Sequence, residues 1–202
     1  RQVWPDAGLS TELHARQWRL GPADAQGARP LDVDFEVLLR PAGPGAAGQP
    51  ALPWLQGKGR AQARWLPAPD AARWQDVQLR FAGQVAGQEV EDAQLDIAQW
   101  LHHPSAQLLE WRGLNLAARV GRKGSLGRLE LHAPSLRAEA EQASGAPVTG
   151  QWIGERPWPL LWRLDSGAPR GRYGLLHWPQ WRLSLAGAQG TRAAGQVQAD
   201  LS

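Results

Sequence analysis

The sequence predicts an all-β chain of antiparallel hairpin repeats, forming a curved sheet or an open sandwich with little helix. Three observations carry this. Apolar and polar residues alternate with period two in many short runs. Glycine-bounded turns separate those runs. The pattern then recurs along the chain. Leu109 to Leu136 shows all three: Leu114, Leu116, Ala118 and Val120 alternate with Asn115, Ala117 and Arg119. After the turn Gly121-Arg122-Lys123-Gly124 the alternation resumes at Leu129, Leu131 and Ala133.

In chain order, Leu9–Leu20 alternates loosely, with a slip before Trp18 and Leu20. Leu31–Arg40 is the cleanest strand. Leu31, Val33, Phe35, Val37 and Leu39 form one face, and Asp32, Asp34 and Glu36 mark the wet one. Pro41–Pro53 is a Pro/Gly/Ala loop. Arg60–Trp65 is a strand whose partner starts at Trp74, where Val77, Leu79 and Phe81 are in phase. Gly83 and Gly87 turn the chain toward Ala93, Leu95 and Ile97. Trp111 opens the next copy and Trp181 another, with Leu183 and Leu185, then Val197, Ala199 and Leu201. Trp18 with the Leu31 strand reads as a degenerate fourth copy. Self-similarity at roughly 25 to 40 residues is the mark of meandering or stacked β architecture. Each hairpin has an apolar face it cannot hide alone, so neighbours share one sheet.

Between the copies, Ala98–Ala106 (AQWLHHPSA) reads as a helical turn ended by Pro104 or a bend at a sheet corner. Leu136–Gln142 reads as an edge strand with charged outward positions. Residues 1–202 are expected to form a single β-rich domain, with a subdivision possible near 144–162, where prolines and glycines interrupt the pattern.

Composition excludes several classes. Hydrophobic content of 43% excludes a fully disordered chain. No stretch approaches the roughly 20 apolar residues of a membrane helix. Cysteine is absent, which removes disulfides, thiolate zinc sites and cysteine nucleophiles. The net charge is +3, and only Lys58 and Lys123 are lysine. The arginine bias accompanies abundant Ala, Gly and Pro, as a GC-rich genome produces, so it is no argument for nucleic acid, and no nucleic-acid partner is expected. The first residue is Arg1, so a processed piece with a missing targeting segment is expected.

The search for chemistry is negative. Gly43, Gly45 and Gly48 fit a G-x-G-x-x-G pattern, but Pro44, Pro50 and Pro53 forbid the helix that a dinucleotide site needs. His102 and His103 are adjacent and point to opposite faces of any strand. A metal site near Asp96 and this pair is a minor alternative, and no metal or other cofactor is expected. No serine sits in G-x-S-x-G, and Asp32, Asp34 and Glu36 read as a solvated face rather than a glycosidase pair. We therefore expect no enzyme, no catalytic residue and no cofactor. An envelope-polysaccharide enzyme using Asp96 and His102 is a distant alternative.

Binding is what remains. Twelve tryptophans stand against Tyr173, Phe35 and Phe81. In a β fold, Trp fills core space and keeps its N–H at a wet edge. Trp152, Trp158, Trp162, Trp178 and Trp181 cluster in the proline-interrupted part, with Arg163 and Arg172 among the arginines interleaved with them. Aromatic rings near a surface suit sugar faces, lipid surfaces or a protein groove, and the arginines suit phosphate or carboxylate. These seven residues are the candidate binding set.

The tryptophan-led hairpins resemble segments of the AsmA-like and TamB-like envelope proteins of Gram-negative bacteria. Glu110-Trp111-Arg112-Gly113-Leu114-Asn115-Leu116, followed by Gly127-Arg128-Leu129-Glu130-Leu131, exemplifies them. They are also similar in style to the periplasmic part of the type II secretion N protein. The resemblance spans Trp74 to Leu136 plus the last hairpin. It implies a long curved sheet, a periplasmic location behind an inner-membrane anchor outside this chain, and no catalytic motif. It also implies partners among envelope or secretion-system proteins, with lipid as a further ligand. The expected function is thus a non-enzymatic envelope scaffold or assembly subunit, working through sheet-mediated protein contact or as a lipid-holding groove. A carbohydrate-binding module that uses the clustered tryptophans is the alternative. An unfilled apolar concave face would favour lipid, and a packed sandwich with exposed edges would favour assembly by strand addition.

Overall fold

A computed structural model describes residues 2–4, 9–41, 55–68, 70–85, 88–122, 125–154, 161–187 and 195–199. The fold is all-β, with no helix among these residues. Strands β1 (Gln2–Trp4), β2 (Leu9–Leu20), β3 (Arg29–Pro41), β4 (Leu55–Ala68), β5 (Ala71–Val85), β6 (Gln88–His103), β7 (Leu108–Arg122) and β8 (Ser125–Ala138) form an antiparallel meander. The sheet continues through β10 (Thr149–Gly154), β11 (Leu161–Asp165), β14 (Trp181–Gly187) and β15 (Gly195–Ala199), and is not closed into a barrel. The short β9 (Ala143–Gly145) pairs with the end of β8. A separate two-stranded hairpin, β12 (Arg170–Arg172) with β13 (Leu175–His177), leaves the sheet between β11 and β14.

Register shows why one layer forms. Residues directly opposed in neighbouring strands share a face. One such row runs Trp18, Val33, Ala61, Leu79, Leu95, Leu116, Leu131, Gly150, Leu164, Leu183 and Val197, across eleven strands without a polar side chain. The next runs Ala15, Phe35, Gly59, Phe81, Ala93, Ala118, Leu129, Trp152, Trp162 and Leu185. The other face carries the ion pairs Arg16–Glu36, Arg60–Asp32, Arg119–Glu91, Arg128–Glu130 and Arg137–Glu110. The slip expected before Trp18 is a bulge between Ala15 and Gln17.

A line of extra residues bends the sheet. In β4, Ala63 and Trp65 are two apart, as a regular strand requires for one face. On the same two levels the spacing is three in the next four strands: Trp74 to Val77, Ile97 to Trp100, Trp111 to Leu114 and Ala133 to Leu136. The inserted residues are Asp76, Ala98, Gly113 and Pro134. Asp76 and Gly113 take the left-handed conformation, at φ of 50° and 65° respectively. Asp76 turns to the charged face, where Arg64 pairs with it at 3.7 Å. The alternation therefore slips in four strands at one height, and the tryptophans stay on the apolar face. Aligned bulges increase local bend and twist.

Two sequence expectations are corrected here. Ala98–Ala106 contains no helical turn, because β6 runs through to His103 before the turn Pro104–Gln107, closed by Gln107 N–H donating to Pro104 O at 3.0 Å. Leu136–Gln142 is not an edge strand. Leu136 to Ala138 lies between β7 and β9, and the chain turns at 139–142.

Candidate functional site: an apolar trough

Among the described residues no second sheet covers the apolar face, yet its middle is buried. Ile97 is 3% exposed and Val90 4%, whereas Trp18 on β2 and Leu183 on β14 are 67% and 38% exposed. Ala93, Ala118, Ala133, Leu136 and Ala138, all on β6–β8, are buried as well. Burial thus rises from both margins toward β6–β8, where neighbouring side chains and the excursion 166–180 cover the face. We refer to this graded apolar face as the trough, with β6–β8 as its floor. The chain's accessible surface is 13487 Å², against about 9,300 Å² for a compact monomer of 22.1 kDa. The uncovered face contributes to that excess.

At one end, Trp65, Trp74, Trp100 and Trp111 are directly opposed on four successive strands. Trp65 and Trp74 lie 6.4 Å apart at 35°, and Trp100 and Trp111 6.4 Å apart at 28°. The segment carrying β12 and β13 folds over this ladder. Trp178 stacks on Trp111 at 6.3 Å, and Tyr173 stacks on His102 at 6.0 Å with its hydroxyl 2.7 Å from Nε2. Tyr173 N–H donates to Glu139 O at 2.7 Å, and Gly167 N–H to Pro179 O at 2.7 Å closes the base of the excursion. Ser166, buried beside that base, accepts from Val148 N–H at 2.8 Å. The indole N–H of Trp111 is buried without a hydrogen-bond partner.

At the other end, aromatic rings lie down on glycines. A Cβ at Gly57 would meet the Phe81 ring at 2.5 Å, one at Gly59 the Phe35 ring at 2.7 Å, and one at Gly127 would fall inside the Trp152 indole. Glycine opposite an aromatic lets the ring cover the backbone, giving a smooth floor. Val90, Ala93 and Ala118 pack there with Phe81, Val85 and Val120.

The candidate residues separate by face. Trp152 and Trp162 are cross-strand partners in the trough. Trp178 caps the ladder, and Trp181 shares the apolar side with Leu183. Arg163 stands on the charged face, lining a groove of about 540 Å³ with Asp96, Glu130, His132 and Asp165. Arg172 is on the hairpin, and Trp158 lies outside the described residues. The ladder tryptophans on β4–β7 were missed as site residues. Their signal was the recurrence of Trp at the head of each copy. Asp96 and His102 do not meet, since Asp96 is on the charged face, held by Gln94 at 2.8 Å, while His102 is on the trough side. Among the described residues no three His, Asp or Glu side chains are grouped to hold a metal ion.

On the charged face, the Arg60 guanidinium beside Asp32 holds that carboxyl below its ordinary value, and Arg64 does the same to Asp24. These acids are charged and neutralised rather than poised for proton transfer.

Fold and site together define a class: an open, single-layer antiparallel β-meander with one continuous apolar trough. Against family models, curated proteins and solved structures, the chain matches none.

Proposed function

We propose that this chain is a non-enzymatic, lipid-holding segment of a cell-envelope transport or assembly system, with the trough as the seat for hydrocarbon chains. The single observation that carries the reading is the apolar face of an uncovered layer, graded from exposed margins to a buried floor. An apolar face left open across a single layer marks a seat for an apolar ligand or partner. A flat partner sheet does not enter a trough that already half-buries its own lining. A slender, flexible acyl chain does, and it has no polar groups to leave unpaired. The Trp111 N–H offers a donor to a carboxylate or ester oxygen at the ladder end. The resemblance to envelope β-repeat proteins supports a periplasmic setting and envelope or secretion-system partners. The glycan alternative is the weaker one, because Trp111 and Trp178 stack on each other instead of presenting open ring faces.

Native mass spectrometry of protein purified from its own host should show bound lipid, and a fluorescent long-chain fatty acid should be displaced by unlabelled lipid. Leu116→Gln on the row crossing the trough should weaken that uptake by about 10-fold. Protein that carries no lipid and takes up none, with glycan or protein co-purifying instead, would sink the reading.

A further inference from the structure

The molecule's net positive charge is confined to one region. Between residues 161 and 187 there are four arginines (Arg163, Arg170, Arg172, Arg182) and one acid, Asp165, which leaves eighteen basic and eighteen acidic residues in the rest of the chain. The whole net charge of +3 therefore belongs to this stretch. Within it, the excursion 166–180 holds Arg170, Arg172 and His177 and no carboxylate.

The β12–β13 hairpin sorts these residues by side. Gly171, Tyr173 and Trp178 are on the partly buried side, where Tyr173 and Trp178 clasp His102 and Trp111. Arg170 is opposed to His177 and Arg172 to Leu175, and all four side chains are exposed. Leu175 is 64% exposed, beside the tip formed by Gly174 at φ 79°. The two guanidinium stems start about 7 Å apart on one face. Arginines of the main sheet such as Arg16, Arg60, Arg64, Arg112, Arg119, Arg128 and Arg137 are matched with carboxylates. Among the described residues the hairpin pair has none.

We propose that this hairpin is a docking tip for an anionic phospholipid surface, with Arg170 and Arg172 on headgroup phosphates and Leu175 at the boundary between headgroups and acyl chains. Paired guanidiniums match phosphate oxygens, and an exposed leucine opposite Arg172 at the tip gains only where apolar surface is available. The inference deepens the trough reading, since the tip sits on the cap of the same trough. It commits to a bilayer over a polyanionic nucleic acid because of the exposed leucine, which has nothing to gain on a nucleic acid, and because no Trp, Tyr or Phe stands on the outer side of the hairpin.

The test is flotation of the full chain with vesicles of phosphatidylcholine alone and of phosphatidylcholine mixed with phosphatidylglycerol, at low and raised salt. Wild type should float with the mixed vesicles and release at raised salt. R170Q/R172Q should bind them about 25-fold more weakly, at about 5-fold per arginine, and L175S up to about 10-fold more weakly. Equal flotation with both vesicle types, unchanged binding by R170Q/R172Q, or binding of a single-stranded oligonucleotide as tight as that of the mixed vesicles would each overturn it. Fatty-acid uptake by the same variants keeps the two readings apart. If neither wild type nor variant takes up fatty acid but the variant still loses the vesicles, the trough fails and the tip stands. If uptake is normal and flotation is unchanged, the tip fails alone.

Discussion

At the capped end of the apolar face Trp100 and Trp111 stand ring against ring at 6.4 Å, whereas at the far end the Phe81 ring lies across Gly57 and Gly83. The difference lies in what each ring faces across the strands. A tryptophan opposed to a tryptophan fills the space above the sheet with its neighbour, and Trp178 from the excursion completes the stack. An aromatic with a glycine beside it on the neighbouring strand, as Phe81 has Gly57 and Trp152 has Gly127, lies over the backbone, even where, as for Trp152, the directly opposed residue is another tryptophan. The same residue class thus closes one end of the trough and paves the other.

The line of bulges between the ladder and the rest of the face should be the most sensitive feature. Deleting Gly113 would leave Trp111 two residues from Leu114, on the same face as in β4, but would make β7 one residue short opposite Ala98 of β6 and Pro134 of β8. Trp111 would then lose its level with Trp100 and Leu136 on the two neighbouring strands, so we expect a lower thermal midpoint. Gly113→Val keeps the register but places a branched residue at φ 65°, with its Cβ 3.0 Å from that of Ala98. We expect a loss of about 3 kcal/mol in denaturant unfolding. A deletion protein with an unchanged near-ultraviolet circular dichroism spectrum would break the argument that matched extra residues hold the ladder level.

Next in size is a pair of substitutions, one at each end. Trp111→Ala removes the middle of the ladder and the seat of Trp178. A loss of about 3 kcal/mol is expected, together with faster tryptic cleavage at Arg170 and Arg172 as the hairpin loosens. Gly127→Leu lifts the Trp152 indole off the backbone, with a loss of about 1–3 kcal/mol. The comparison predicts a crossover. Gly127→Leu should leave cleavage of the hairpin unchanged and reduce fatty-acid uptake, because it roughens the paved floor. If both variants loosen the hairpin equally, the two ends are not independent.

Much of the sheet was legible because period-two alternation depends only on burial of one face. Leu31 to Leu39 and Asp32 to Glu36 fall where that alternation puts them, with Arg60 and Arg16 neutralising the acids. The coordinated slip was harder to read. Trp74-x-x-Val77 and Trp111-x-x-Leu114 each look like an imperfect strand, and only their cross-strand alignment reveals one bend repeated. Leu136–Gln142 misled because Arg137, Glu139 and Glu141 imitate the charged side of an edge, while the partner β9 is three residues long and has no periodicity of its own. The β12–β13 hairpin was invisible for the same reason. Its strands are three residues each, and its anchors are single contacts made by Tyr173 and Trp178 across long separations. The binding residues were found by type but not by side, since which face Trp162 or Arg163 takes is decided by register with β10 and β14.

The smallest expected effect lies on the charged face and separates it from the trough by pH. Asp32 donates nothing as a carboxylate and accepts from Arg60 Nε at 2.7 Å, which favours its ionised form and lowers its pKa from the ordinary 3.8. A group whose folded pKa is depressed adds stability above its unfolded pKa, and that stability is lost as pH falls through the folded value. From neutral pH down to about 5 the contribution should be constant. Asp32→Asn should therefore be slightly less stable than wild type at neutral pH. The gap should close as pH falls below 3.8, where the wild-type carboxyl also loses its charge. Both residues are well exposed, with side-chain exposures of 55% for Arg60 and 31% for Asp32, so solvent and salt screen the pair and added salt should shrink the gap. Fatty-acid uptake should not follow this titration, because the acid and the trough lining stand on opposite sides of one layer. Uptake that tracked the Asp32 titration would mean that the two faces are coupled through the strand, and the division of the sheet into an electrostatic side and a hydrocarbon side would have to be redrawn.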